Sequence, residues 1–170
     1  MQNISGLPRH RTAFFRAVAA TLPFLAGSFV LSQGPVEAEE GKSIAGQFHM
    51  GFVFGDPCPA VTGVCVTGSV SGDLSGDIFI TFDELNEEED RRGETITHLS
   101  GDVLITTMEG DVRGKLRGIF DQATGTVRHT ITLSGGDRRY HKTRGTLRVS
   151  GTVDLRNSVE EDDYTGELDR

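Results

Sequence analysis

The chain has no tryptophan, two tyrosines, two cysteines and five prolines among 170 residues. It also has no basic surplus. Lys and Arg number 17 against 25 Asp and Glu, a formal net charge of −8. Phosphate backbones and anionic lipid surfaces both call for a basic face, so the balance argues against nucleic acid and against a membrane surface as partners. Two cysteines cannot build a four-thiolate metal centre, and no second Cys pair or His-x3-His element is present to complete one. Their separation also rules out a Cys-x-x-Cys redox pair. There is no G-x-S-x-G, no phosphate-binding loop, no H-E-x-x-H and no Ca²⁺ loop signature. The expectation is a protein with no cofactor and no metal. No window carries a sustained helical period.

What is present begins with an N-terminal export pattern. Arg9, Arg11 and Arg16 are followed by an apolar segment from Ala17 to Leu31, interrupted by Pro23, and then by Val36-Glu37-Ala38, a small-x-small cleavage pattern. The apolar core is short of the ~20 residues that a membrane span needs. The three features read as a secretory signal over residues 1–38, with an uncleaved anchor as the alternative. Residues 39–43 then form a short linker and 44–170 one domain. Removing the signal lowers Lys plus Arg from 17 to 14 and Asp plus Glu from 25 to 24, so the remaining chain carries −10. A secreted or periplasmic location follows, with no membrane association once the signal is removed. Two close cysteines, Cys58 and Cys65, most simply form a local disulfide in such a compartment.

Glycine is abundant, at 22 residues, and falls between β-branched runs. This pattern points to strands joined by tight turns. From Ile44 to Phe54, Phe48, Met50, Phe52 and Phe54 share one face while Gln47 and His49 share the other. Period two marks a half-buried strand. Further strands are read over Val64–Val70, Asp73–Leu85, Glu94–Thr107, Val112–Phe120, Thr126–Ser134 and Gly145–Leu155, with a short last one at Tyr164–Leu168. Residues 86–93, dense in charge, are expected as a solvated loop, with a mobile lid as the alternative. Acidic Glu160 to Asp163 reads as a turn. Seven or eight antiparallel strands with one apolar face each would expose that face and two edges as a flat sheet. Closure into a barrel buries the face and removes the edges, with a two-sheet sandwich as the alternative.

Several stretches carry a recognisable pattern. Residues 68–76 read GSVSGDLSG, 105–125 read ITTMEGDVRGKLRGIFDQATG, 130–156 read TITLSGGDRRYHKTRGTLRVSGTVDLR, and the end reads YTGEL. Together they resemble the allene oxide cyclase barrel superfamily, which also holds the plant dirigent proteins and bacterial exported relatives. The resemblance spans roughly residues 44–168. It implies an all-β, single eight-stranded antiparallel barrel, often oligomeric, that binds a hydrophobic or phenolic small molecule. Cofactor-independent cyclisation or isomerisation, or dirigent-type guidance of coupling, is the chemistry it implies. The chain departs from the family pattern at Arg138, where the family has glycine in the Gly-Gly-Thr-Gly-Arg-Tyr stretch. If that glycine serves a turn with positive φ, an arginine there is strained.

His129 falls in phase with Val127, Ile131 and Leu133, which makes it the single inward ionisable candidate and the candidate catalytic residue. A core histidine bonded to backbone is the alternative. A ligand pocket near it would have Phe48, Met50, Phe52 and Ile131 in its wall. Tyr140 and Arg144, with Arg139, flank a loop that would close one barrel end and contact a ligand there. His98 and Asp102 lie ~13 Å apart on one strand and do not form a pair. Two other roles compete with ligand binding. One is a non-catalytic envelope or secreted protein with a solid-packed barrel. The other is a subunit that forms a homo-oligomer through an apolar outer face, which Phe79 fits.

Overall fold

The computed structural model describes residues 41–89 and 91–169. The expected signal over 1–38 and the start of the linker lie outside the described residues. Eight strands follow in order: β1 Lys42–Phe54, β2 Val64–Gly72, β3 Gly76–Glu89, β4 Thr95–Thr107, β5 Gly110–Asp121, β6 Thr126–Gly136, β7 Arg144–Asp154 and β8 Val159–Asp169. One short 3₁₀ turn, Arg138–Tyr140, sits between β6 and β7. Each strand pairs antiparallel with the next, and β8 returns to β1 to close the barrel. The all-β barrel expected from the alternation is thus observed. No described helix is long and apolar enough to cross a membrane.

Period two explains the interior. Every second side chain of each strand points inward, and Phe48, Met50, Val66, Ile78, Ile80, Ile105, Leu116, Ile131 and Leu147 are almost fully buried there. The outer face carries Gln47, His49, Thr67, Asp102, Lys115 and Arg128. A barrel in lipid needs the reverse arrangement, apolar outside. Outward Phe79 is half-buried opposite Leu104, a cross-strand apolar pair on the outer wall.

Tyr164 is the largest fully buried side chain. Its ring stacks on Phe48 with centroids 4.8 Å apart. Its hydroxyl accepts a hydrogen bond from the Leu74 backbone N–H at 3.0 Å and reaches the carbonyl oxygen of Ser71 at 3.3 Å. One side chain from β8 therefore fills the interior and ties down the β2–β3 turn.

Three expected boundaries need correction. The charged stretch at 86–89 is strand, not loop: β3 continues to Glu89 because Thr95, Ile96, Thr97 and His98 of β4 offer it a ladder beyond the barrel body. Asp73 to Ser75 is a turn rather than the start of β3, although Leu74 is still buried in the core. Glu160 to Asp163, expected as a turn, lies within β8 and pairs on both sides, with β7 and with β1.

The disulfide joins Cys58 and Cys65 across the β1–β2 connection, with Cα atoms 5.5 Å apart. Cys65 is fully buried at the start of β2. Closing so short a loop stabilises by about 2–3 kcal/mol on the chain-entropy view. The double substitution Cys58→Ala with Cys65→Ala is expected to lower unfolding free energy by about that amount, measured by urea denaturation. Arg138 has φ of +44°, so the strain expected there from the sequence is real. A non-glycine residue in the left-handed region costs about 1–2 kcal/mol, part of which glycine returns as lost chain entropy. Arg138→Gly is expected to stabilise by about 0.5–1 kcal/mol in the same assay, and a loss of stability would remove the strain argument.

Candidate functional site

His129 points inward from β6, as its phase with Val127 and Ile131 requires, and its side chain is 2% exposed. It is not the single inward ionisable group. From β8, Glu160 and Asp162 also face inward, and their side chains are 5% and 0% exposed. His129 Nε2 lies 3.4 Å from Asp162 Oδ2 and 4.0 Å from Glu160 Oε1.

Two inward glycines make room for this cluster. Gly118 on β5 is the register partner of His129, and a Cβ there would collide with the His129 Cβ. Gly151 on β7 is the partner of Asp162, and a Cβ there would collide with the Asp162 carboxylate. In the middle strand, Val149 separates His129 from Tyr164. The ionisable layer therefore occupies space that two neighbouring strands leave empty.

The electrostatics of the layer are costly. Neither imidazole nitrogen of His129 has a hydrogen-bond partner, and neither oxygen of Asp162 accepts one from an N–H group or hydroxyl. Buried polar atoms are usually satisfied, so a cluster whose four atoms find no partner outside it marks a site rather than ordinary packing. Burial pushes the Glu160 carboxyl up to about 9, helped by the negative charge of Asp162 beside it. A protonated Glu160 can donate its acid proton toward Asp162. Imidazole and carboxylates are also metal-ligand types, and one donor atom from each of the three residues falls within 4.8 Å of the others.

Phe48 and Met50 are the register partners of Asp162 and Glu160, and Ile131 lies two residues from His129 on the inward face of β6, so three of the residues expected to bind ligand border this layer. Phe48, Met50 and Ile131 are packed in the core at 0–1% exposure, and Phe52 packs against it half-buried. Tyr140 and Arg144 sit at the opposite rim, beyond the end of β6. Leu133 is ~13 Å along the strand from His129, and the turn carrying Tyr140 begins beyond it. Tyr140 is buried and its hydroxyl donates to Glu109 Oε2 at 3.2 Å. Arg144 is exposed and donates to the backbone oxygens of Ser134 and Thr143. His98 and Asp102 face outward, and each pairs across to a neighbouring strand, with Glu88 and Lys115 respectively.

The rim near Tyr140 holds a cleft of about 760 Å³. Ile44, Leu74, Tyr140 and Leu168 give it an apolar floor. Charged pairs border it: Lys42 Nζ lies 3.3 Å from Asp73, and Arg139 pairs with Glu109. The Asp73 carboxyl is held below its usual range, first by the Ala45 backbone N–H and then by Lys42. On the outer wall beside His129 lies a separate groove of about 450 Å³ with Arg117, Arg128 and Arg148 in its lining.

No family model matches the chain, and neither does any curated protein or solved structure.

Glu160 and Asp162 were missed because acids break the apolar alternation that marks a strand. The signal lay in extending the phase of Tyr164 and Leu168 backwards by twos, which lands on Asp162 and Glu160. Glu160 also makes a pH prediction. Its carboxyl ionises near 4.5 when unfolded and near 9 when folded. The folded state holds the proton more tightly, so the stabilisation is complete below pH 4.5 and is lost as pH rises toward 9. Asp162 and His129 are the ionisable groups facing it. Glu160→Gln removes this dependence. In chelator-containing buffer, its stability relative to the wild type is expected to rise by on the order of 1 kcal/mol per pH unit above 4.5, read by urea unfolding at pH 4, 6 and 8. A constant difference between the two proteins across that range would refute a buried neutral Glu160.

Proposed function

We propose that this protein is an extracytoplasmic barrel that binds a small hydrophobic or phenolic molecule bearing a polar group, at the rim that carries the Tyr140 turn. The rim cleft carries the reading: an apolar floor of Ile44, Leu74, Tyr140 and Leu168 under a charged border, with a volume in the range of small-molecule sites. The floor would bury the ring or chain of such a ligand, and Lys42 or Arg139 would meet its polar end. The disulfide and the lack of a membrane-crossing helix among the described residues are compatible with a location outside the cytoplasm. The resemblance of residues 44–168 to the allene oxide cyclase and dirigent barrels supports the same ligand class.

Catalysis at His129, as a cofactor-independent cyclase or isomerase, would need a ligand cavity beside it. Phe48, Met50 and Ile131, the residues expected to line one, instead fill the interior. That packing favours binding at the rim over turnover inside. It is also the observation that favours the second reading, a solid-packed barrel with a structural or partner-binding role and no small ligand.

The full chain, purified with its disulfide intact, separates the two. Its native and denatured extracts would be compared by mass spectrometry for a retained compound. A panel of phenols and medium-chain fatty acids would then be titrated by calorimetry. Binding is expected, with at least about tenfold weaker affinity in Ser75→Trp, which fills the cleft from an exposed position, and unchanged affinity in His98→Ala on the outer wall. No retained compound and no response to the panel would leave the solid-packed reading.

A further inference from the structure

We propose that His129, Glu160 and Asp162 form a buried site for one divalent first-row transition cation, with Zn²⁺ the best-matched ion. The site is distinct from the rim cleft and does not depend on it.

Three observations carry the proposal. First, the donor set is one imidazole nitrogen and two carboxylates, all from groups at most 5% exposed. Mg²⁺ and Ca²⁺ take oxygen ligands in sixfold or higher coordination, whereas a mixed nitrogen and oxygen set of this size suits Zn²⁺, Mn²⁺ or Fe²⁺. Secondly, the donors lack partners outside the cluster: neither ring nitrogen of His129 is hydrogen-bonded, and Asp162 receives no N–H or hydroxyl and faces only His129 and Glu160. A tetrahedral ion with bonds of about 2.1 Å holds its donor atoms about 3.4 Å apart. The His129 to Asp162 separation is 3.4 Å, and the His129 to Glu160 separation of 4.0 Å needs a small side-chain movement to match. The second oxygen of Asp162 can supply a fourth bond.

Thirdly, the charges close. In their metal-ligating forms, two carboxylates and an imidazole carry −2, and a divalent ion that displaces the Glu160 proton brings the layer to zero in a place where water cannot. Among the described residues, the ion pairs bring no lysine or arginine to Asp162 or Glu160. The glycines at 118 and 151 keep the layer free of competing side chains. No water-facing position is left, which is the pattern of a structural site rather than a hydrolytic one.

The test uses the full chain with its disulfide intact, purified without chelator. Elemental analysis is expected to find about one transition-metal ion per chain. Because the site is sealed, the protein would also be unfolded with chelator, exchanged, and refolded with and without Zn²⁺. Refolding with Zn²⁺ is expected to raise the melting temperature. Asp162→Asn and Glu160→Gln are expected to weaken Zn²⁺ binding at least about 100-fold, beyond the loss typical of outer-shell changes. His49→Ala, which removes an outer-wall pair with Glu161, is expected to leave binding unchanged. Co²⁺ would report the coordination of the wild type directly, with the intense visible bands of a four-coordinate site. If the variants do not fold, that spectrum and the wild-type stoichiometry decide. Metal-free protein that takes up no Zn²⁺, Mn²⁺ or Fe²⁺ on refolding would overturn the proposal. So would uptake that folded Asp162→Asn leaves intact, or a weak six-coordinate Co²⁺ spectrum, either of which assigns the ion to surface acids.

Discussion

An eight-stranded barrel encloses a volume that side chains can just fill, and the division of that volume governs this molecule. Closure of β8 onto β1 removes both sheet edges and fixes the interior width. Three inward groups, a tyrosine, a histidine and an aspartate, each have a glycine as a register partner. Gly46 lies opposite Tyr164, Gly118 opposite His129, and Gly151 opposite Asp162. In each pair a methyl group on the glycine would strike the partner side chain. The inward glycines therefore act as allotted space, and they decide where a tyrosine, a histidine and an aspartate can be accommodated.

The two ends of the barrel use that space differently. Towards the Tyr140 turn the interior is closed by Tyr164, Leu74, Leu168 and Tyr140, and the surface above them forms a cleft with an apolar floor. Towards the start of β8 the interior carries Glu160, Asp162 and His129. Apolar groups of the same volume would stabilise the barrel more, because buried ionisable groups lose hydration without full compensation. A chain that keeps three of them together, with the His129 ring nitrogens unbonded, holds a local cost that a packed core alone does not require.

The barrel was legible because seven of its strands alternate clearly, and alternation in so many strands leaves few architectures that bury every apolar face. The inward phase of His129 was legible for the same reason. The last strand was not. Glu160, Glu161, Asp162 and Asp163 are four consecutive acids, so hydropathy shows no difference between the face turned inward and the face turned out. The cluster was hidden for a second reason. Its members come from β6 and β8, separated by β7, so no local spacing marks them, and motif patterns detect only ligands close in sequence. At 86–89 the charge density suggested a loop, but ladder bonds to β4 carry charged side chains readily when both faces are solvated. At Arg138 the residue itself gave no sign of a positive φ, and the expectation rested on the glycine that the resembling pattern has there.

The pairing of Lys42 with Leu168 places the first and last strands of the sheet side by side. Every other ladder joins strands adjacent in the chain and can form as a hairpin while synthesis is still under way. This one cannot. Until β8 has been made, β1 and β7 are both unprotected edges, Phe48 lacks the ring it stacks on, and the β2–β3 turn lacks the hydroxyl that holds it. The fold thus has one non-local closing step, the pairing of β1 with β8, and its loop-closure cost falls on that step.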